Sequence, residues 1–242
     1  MSVIKVLKFC SLLFFIFLTT NLWAEEQKNV SWLYTQTSES QKLMTADKGI
    51  QILKEGNARF VNGATKHRNL LNQVKLTHRK GQYPFAIVLS CMDSRGSSDL
   101  IFDQGIGDIF SIRVAGNVLD IDQLGGLEFA TKVVGTHLIV VMGHTRCGAI
   151  AGSCNQVKLG HLTQLLQKIQ PAVDMVKQKN KGQELNCQDN QTIDDIAKQN
   201  VLLVMQKIKQ ESKIISDLIA KGDVKIVGAM HNLKTGEVSF IE

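Results

Sequence analysis

Four short apolar runs most constrain how this 242-residue chain can fold. They cover residues 84–90, 109–114, 138–142 and 224–229, and helix-like segments separate them. Strands that are apolar along nearly their whole length are typical of a parallel sheet covered by helices on both faces. We therefore expect an α/β fold with a mostly parallel central β-sheet flanked by helices. Residues 238–241 follow turn residues and are expected to form an antiparallel strand at the C-terminal edge.

Segments with a helical pattern of apolar residues separate these strands. From Thr45 to about residue 61 the apolar side chains form a single stripe, and Thr45 is suited to be the N-cap. Residues 122–134 have a similar pattern. Pro171 stands in a helical region, where it either starts a helix or kinks one. The polar segment 180–191 is expected to be a loop.

The N-terminal segment resembles a cleavable signal peptide. Lys5 and Lys8 precede an uncharged apolar run, which ends before Ala24 and the acidic Glu25. That run is shorter than the roughly 20 apolar residues needed to cross a bilayer. We expect export to the periplasm or the exterior, with no stable membrane anchor after cleavage. An uncleaved membrane anchor is the alternative.

The domain organisation follows from this assignment. We expect a signal peptide at residues 1–24, an N-terminal arm at 25–44 and one catalytic domain at 45–242. Removing Lys5 and Lys8 from the 28 basic residues leaves 26 against 22 acidic residues, a net charge of +4. These charges are dispersed along the chain, whereas nucleic-acid binding needs a clustered basic footprint. We therefore expect no nucleic-acid partner.

Four cysteines remain after removal of the signal peptide: Cys91, Cys147, Cys154 and Cys187. In an exported protein an even number of cysteines suggests disulfides. Cys154 follows Cys147 by two helical turns, so it lies on the same face. The sequence leaves open whether Cys154 pairs with Cys187 or is a buried thiol.

Two segments with candidate metal-binding and catalytic residues follow predicted parallel strands. Residues 91–95 (CMDSR) follow the first strand and residues 143–148 (GHTRCG) follow the third. Such strands deliver their carboxyl ends to one edge of the sheet, where ligands bind. Each segment alone has a structural interpretation, but together they bring Cys91, His144 and Cys147 to one place. Zinc in catalytic sites takes three ligands of this kind and keeps one open position.

Both segments resemble the C-x-D-S-R and H-x-x-C-G motifs of β-class carbonic anhydrases, with similar spacing between them. The resemblance extends from about residue 46 to the end and includes residues 101–108 and 113–117. The chain departs from the family at residues 96–99, where a Val-Pro stretch and a glutamate are usual. It also has His231 where the family often has tyrosine, and we interpret His231 as structural.

The resemblance implies a zinc-dependent enzyme that converts CO2 and water reversibly to bicarbonate and a proton. Zn²⁺ would be held by Cys91, His144 and Cys147. Asp93 would orient the attacking oxygen, and Arg95 would hold Asp93 away from the metal. Without that restraint, Asp93 can become a fourth ligand in an inactive state. Because two thiolates donate more charge to zinc than imidazoles would, we expect CO2 hydration to be favoured on the alkaline side of neutrality.

The resemblance also implies how bicarbonate is bound. Gln104 matches a family residue that bonds bicarbonate across the subunit boundary, and the backbone N–H near Gly148 is a second donor. Relatives in this family are dimers or larger, so we expect a homodimer or homotetramer.

Three other functions remain open at this stage. One is a related zinc hydrolase acting on CS2 or COS, and another is a non-catalytic zinc- or bicarbonate-sensing protein. The third is a thiol-based redox protein that uses Cys147 and Cys154. The intact Asp93, Arg95 and Gln104 argue against a sensor. The absence of a close Cys-x-x-Cys pair argues against redox chemistry.

Overall fold

The structure, a computed structural model, describes residues 34–241. Within this range the chain forms a sheet with the strand order β2-β1-β3-β4-β5. The strands are β1 Ala86–Ser90, β2 Ile109–Arg113, β3 Leu138–His144, β4 Lys225–His231 and β5 Val238–Ile241. The first four are parallel and β5 is antiparallel to β4. The predicted fold class is therefore confirmed, including its antiparallel C-terminal strand.

Helices cover both faces of this sheet. The α-helices in the described residues are α1 Ser38–Lys42, α2 Ala46–Val61, α3 Leu70–Lys80, α4 Ser98–Ile101, α5 Ile121–Glu128, α6 Gly148–Cys154, α7 Gly160–Gln167, α8 Gln170–Lys179, α9 Asn190–Glu211 and α10 Lys213–Ala220. A 3₁₀ turn at Ala115–Asn117 and a π-helical turn at Phe129–Val133 complete the set. None of the helices in residues 34–241 is long and apolar enough to cross a membrane.

Both faces of the sheet are packed, as the apolar runs predict. One core lies under α2 and includes Leu53 and Phe85, each 0% exposed. The other lies under α9 and α10 and includes Val201 and Ile215, also 0% exposed. β1 and β3 are buried at every position. Such complete burial explains why these strands do not alternate between apolar and polar residues.

The helix boundaries follow local capping chemistry. The Thr45 side chain accepts a hydrogen bond from the Lys48 backbone N–H at 3.2 Å, so the predicted cap of α2 is confirmed. Pro171 lies in the first turn of α8, where its missing N–H breaks no helical bond, and it therefore starts that helix. The Asp189 carboxylate accepts the Thr192 N–H at 2.9 Å, which begins α9 within the segment predicted as a loop.

The predicted signal peptide, 1–24, lies outside the described residues, as do residues 25–33 of the predicted arm. The described part of the arm, 34–44, packs on the body of the domain. The Gln41 side-chain amide donates to the Pro84 carbonyl oxygen at 2.9 Å, and Met44 is 6% exposed in the core under α2. This part of the arm therefore belongs to the folded domain.

Gly56 allows α2 to approach the loop that precedes β2. A Cβ at this position would lie 1.8 Å from the Phe102 carbonyl oxygen and 2.9 Å from Gln104 Nε2. The oxygen belongs to backbone and cannot rotate away, so we expect Gly56→Ala to lower the free energy of unfolding by about 3 kcal/mol. Urea denaturation measures the loss. Gly125→Ala is the control because its Cβ would meet open space; equal stability of the two variants would contradict this packing.

Candidate metal centre

Cys91, His144 and Cys147 meet at the carboxyl edge of the sheet. Cys91 follows β1 directly, His144 is the last residue of β3, and Cys147 is the N-cap of α6. Because β1 and β3 are adjacent and parallel, their ends lie side by side. One ligand atom from each of the three side chains lies within 4.8 Å of the others, and all three residues are buried. The predicted cluster is thus present in the structure.

The two cysteines interact directly through their sulfur atoms, which lie 3.9 Å apart. This hydrogen bond lowers the pKa of Cys91 to about 4 and raises the pKa of Cys147. The backbone N–H of Gly116 also donates to Cys91 Sγ at 3.3 Å. These contacts favour the thiolate form of Cys91, which is the form that binds a metal.

His144 directs one ring nitrogen at these sulfurs. Its Nδ1 donates to the Thr145 carbonyl oxygen at 2.9 Å, which fixes the tautomer and leaves the Nε2 lone pair free. That Nε2 atom is buried and makes no hydrogen bond to any residue in 34–241. A buried acceptor without a partner is costly unless something else satisfies it. Two cysteine sulfurs and this imidazole nitrogen form a donor set that fits zinc, with room for a fourth ligand.

Asp93 and Arg95 form a bidentate salt bridge beside the cluster. Arg95 Nε donates to Asp93 Oδ1 at 2.9 Å, and a second guanidinium nitrogen donates to Oδ2 at 2.8 Å. These bonds hold the pKa of Asp93 well below its usual range. Asp93 Oδ2 lies 4.0 Å from His144 Nε2. The carboxylate is thus ionised, adjacent to the cluster and restrained by the guanidinium.

Arg113, at the end of β2, fixes the backbone of the same loop. Its Nε donates to the Cys91 carbonyl oxygen at 3.3 Å, and its Nη2 donates to the Asp93 carbonyl oxygen at 2.5 Å. In the sequence, Arg113 lies in a segment that resembles the family, but the sequence pattern alone assigns it no role. Its charge at the end of a predicted strand, on the same edge as Cys91, is the signal that points to this contact.

Gly116 supports Cys91 from the other side. It adopts a φ of 65°, and a Cβ there would lie 2.6 Å from Ile169 Cδ1. Asn200 of α9 donates to the Gly116 carbonyl oxygen at 2.9 Å. This bond keeps the Gly116 N–H aimed at Cys91 Sγ. The sequence contains no local signal for Asn200, because it is a single amide on a long helix.

Both ends of α6 are attached to the chain around the start of α9. At the N-terminal end, the Arg146 backbone N–H donates to Asp194 Oδ1 at 2.6 Å. At the other end, Cys154 forms a disulfide with Cys187, with their Cα atoms 5.7 Å apart. The structure therefore selects the disulfide from the two states that the sequence leaves open. In residues 34–241 the free cysteines are Cys91 and Cys147.

His231 lies beside His144, in register on the neighbouring strand β4. It is 3% exposed, and burial lowers its pKa to about 4, so the ring is neutral. Neither ring nitrogen makes a hydrogen bond to a described residue. Its burial in the sheet agrees with the structural interpretation made from the sequence, and no ligand role is assigned to it.

The two predicted bicarbonate-binding residues lie in different surroundings. Gly148 is exposed at the first position of α6, directly after Cys147, where a helix leaves its N–H groups without intrahelical partners. Gln104 lines a groove of about 720 Å³ together with Arg59 and Arg68. Within this chain Gln104 Nε2 donates to the Phe102 carbonyl oxygen at 2.5 Å, and the Gln104 backbone N–H donates to the Asp99 carbonyl oxygen at 2.8 Å. The action of Gln104 across a subunit boundary stays a prediction.

Comparison with known proteins finds carbonic anhydrases among the relatives of this chain. The carbonic anhydrase family profile matches residues 86–238. A carbonic anhydrase from Mycolicibacterium smegmatis is 31% identical over 193 residues, which cover 78% of this chain and 89% of the relative. Carbonic anhydrase 2 from Mycobacterium tuberculosis is 32% identical over 189 residues, covering 76% of this chain and 87% of the relative.

Solved structures give the same result for the fold. The β-carbonic anhydrase CcaA superimposes with a TM-score of 0.63 at 27% identity, covering 80% of this chain and 95% of that chain. Tetrameric β-carbonic anhydrases from Sordaria macrospora superimpose with a TM-score of 0.63 at 23% identity, covering 80% of this chain and 96% of that chain. The chain thus shares its fold with solved β-carbonic anhydrases.

Proposed function

The chain belongs to the β class of the carbonic anhydrases, and we propose that Cys91, His144, Cys147, Asp93 and Arg95 form its catalytic centre. It is a zinc-dependent enzyme that catalyses the reversible hydration of CO2 to bicarbonate and a proton. The observation that supports the proposed ligand set best is the buried His144 Nε2, which has no hydrogen-bond partner in residues 34–241 and lies beside two cysteine sulfurs.

The chain's own residues prepare this reaction. When bound, zinc lowers the pKa of water to about 7 and so makes hydroxide available near neutral pH. The Gly116 N–H and the N-terminal end of α6 stabilise negative charge on Cys91 and Cys147. Thr145 holds His144 in the tautomer that presents Nε2. These contacts keep three ligand atoms in place before the metal arrives, which reduces the cost of ordering the site.

Asp93 orients the attacking oxygen. Its ionised carboxylate accepts a hydrogen bond from that oxygen, which turns the remaining lone pair toward CO2. A carbon–oxygen bond then forms, one carbon–oxygen π bond of CO2 opens, and a proton leaves to solvent. Gly148 N–H and Gln104 are proposed to bind the bicarbonate that results. Arg95 keeps both oxygens of Asp93 engaged, so the carboxylate does not move into the ligand position.

Arg95→Ala is expected to reduce CO2 hydration about 10- to 100-fold without emptying the zinc site. The reason is that the freed Asp93 carboxylate, whose Oδ2 already lies 4.0 Å from His144 Nε2, competes for the open ligand position. Stopped-flow hydration and zinc per chain are measured on the same preparation. Arg79→Ala, on the exposed face of α3, is the matched control. Loss of zinc in Arg95→Ala would show that the pair maintains the fold instead.

The alternative functions are not favoured. The family match concerns carbonic anhydrases, and the Asp93–Arg95 pair is intact. Cys154 is occupied by its disulfide with Cys187, so it is not a free partner for Cys147. Hydrolysis of CS2 or COS would be detected as sulfide release by the purified enzyme, and the family match leads us to expect none.

We also propose a homodimer or homotetramer, joined beside β2. This strand is at the edge of the sheet, and Phe129 packs on Phe110 with ring centroids 6.4 Å apart while remaining 51% exposed. Ile121 and Val133, in the same helical segment, are 79% and 71% exposed. Apolar side chains beside an open strand edge support a subunit contact. Light scattering should give at least twice the mass of one chain, and a monomer would contradict this assembly.

Export to the periplasm or the exterior is proposed from residues 1–24 and from the disulfide. Disulfides persist in oxidising compartments and are rare in the cytosol. N-terminal sequencing of the protein recovered from its native cells should begin at Glu25. A chain that begins at Met1 and stays in the cytosolic fraction would contradict this proposal.

A further inference from the structure

The loop between α4 and β2, residues 102–108, carries Gln104. We propose that Gln73 of α3 is a positioning residue for Gln104: it fixes the loop and joins it to the N-terminal arm. The inference rests on the proposed role of Gln104 in binding bicarbonate. It adds a residue, far from the zinc motifs in sequence, on which that role depends.

Both ends of the Gln73 side-chain amide form hydrogen bonds with backbone groups. It is 1% exposed, although it belongs to a helix with mostly exposed residues. Its Oε1 accepts the Ile106 N–H at 3.1 Å, and its Nε2 donates to the Tyr34 carbonyl oxygen at 2.8 Å. A buried amide is costly to leave unsatisfied, so these two bonds hold their partners firmly. One side chain thus connects α3, the Gln104 loop and the arm.

The residue after Gln104 is packed without free space. The Gly105 N–H donates to Asp108 Oδ2 at 2.8 Å. A Cβ on Gly105 would lie 2.9 Å from Gln73 Nε2 and 3.1 Å from Asp108 Oδ2. The Gln73 amide and the Asp108 carboxylate therefore form a fitted cradle for this glycine. A shift of Gln73 would change the position of Gly105 and, through the chain, that of Gln104.

Asp103, the residue before Gln104, is held by ion pairs with two arginines. Asp103 has a φ of 44° and is 4% exposed. Its carboxylate accepts from Arg59 Nε at 2.5 Å and also from Arg68. The Gln104 backbone is thus fixed on one side by an ion pair and on the other by Gln73. The Gln104 N–H itself donates to the Asp99 carbonyl oxygen at 2.8 Å. The ion pair lies before Gln104, and on the side that leads to β2 Gln73 binds the Ile106 N–H while Asp108 binds the Gly105 N–H.

A fixed backbone matters because Gln104 acts by a directional bond. A hydrogen bond to an anion loses most of its strength when donor and acceptor are displaced, and displacements near 1 Å reduce activity strongly. Loss of Gln73 should therefore reproduce part of the effect of losing Gln104 itself. The zinc ligands contact none of these groups, so zinc content should not change.

The experiment compares three variants of the full zinc enzyme by bicarbonate dehydration kinetics. Gln73→Met keeps the size of the side chain and removes both hydrogen bonds. Gln104→Ala removes the proposed donor. Gln199→Met is the matched control, a buried glutamine of α9 that bonds Lys179 and lies outside the loop. We expect the bicarbonate KM to rise about tenfold in the first two variants and to stay unchanged in the control.

Each outcome separates the two proposals. An effect of Gln104→Ala without one of Gln73→Met overturns the positioning role alone. No effect of either overturns the role of Gln104 and the inference with it. An equal rise in Gln199→Met shows general loosening and also overturns the inference. Amide exchange in the wild-type protein adds a test that needs no variant to fold: unprotected Gly105 and Ile106 amides would contradict the contacts with Asp108 and Gln73.

Discussion

His144→Ala is expected to empty the zinc site and reduce CO2 hydration on the order of a thousandfold or more, because water without the metal returns from a pKa of about 7 to 15.7. The variant removes one of three ligands that lie within 4.8 Å of one another. The remaining sulfurs, 3.9 Å apart, offer too few ligands for a stable tetrahedral site. Elemental analysis gives zinc per chain, and stopped-flow indicator kinetics give hydration.

The control for this variant is His161→Ala. His161 lies exposed on α7, so its removal should leave both zinc and hydration unchanged. A His144→Ala protein that retains zinc and full activity would contradict the assignment of the ligand. Folding of the variant is checked by circular dichroism.

The second large effect concerns the disulfide. The double variant Cys154→Ser/Cys187→Ser is expected to lower the free energy of unfolding by about 4 kcal/mol, because the bond closes a loop with a sequence separation of 33 residues. Urea denaturation of the zinc-loaded wild type and the variant measures this difference. The double change avoids leaving a single reactive thiol.

The wild-type protein treated with reductant provides the matched comparison. It should lose the same stability as the double variant, while reductant should not affect the variant itself. Cys147 and Cys154 lie at opposite ends of α6, so we also expect the variant to release zinc faster to a chelator. Equal stability of oxidised and reduced wild type would show that the bond does not form in solution.

The features that could be predicted from the sequence are those encoded locally. Complete burial on both faces makes β1 and β3 continuous apolar runs, and this pattern identifies parallel strands without any knowledge of their partners. Parallel pairing then places the residues after each strand at one edge. Cys91, His144 and Cys147 therefore converge for a reason that the sequence already contains, and their chemistry indicates zinc.

The supporting contacts could not be predicted, because they join distant segments through single side chains. Gln73 contacts Tyr34 and Ile106, and Asn200 reaches Gly116, across separations of 33 to 84 residues. A polar residue on a helix is usually exposed, so its type gives no indication of burial. The pairing of Cys154 with Cys187 was open for the same reason: it depends on where the loop before α9 lies in space.

The zinc content and CO2 hydration of purified residues 25–242, followed with a pH indicator from about pH 6 to 9, test the assigned function most directly. We expect about one zinc per chain and rapid hydration that increases toward alkaline pH, since two of the three ligands are thiolates. A chain that folds but binds no zinc, or one that binds zinc and does not hydrate CO2, would contradict the assignment.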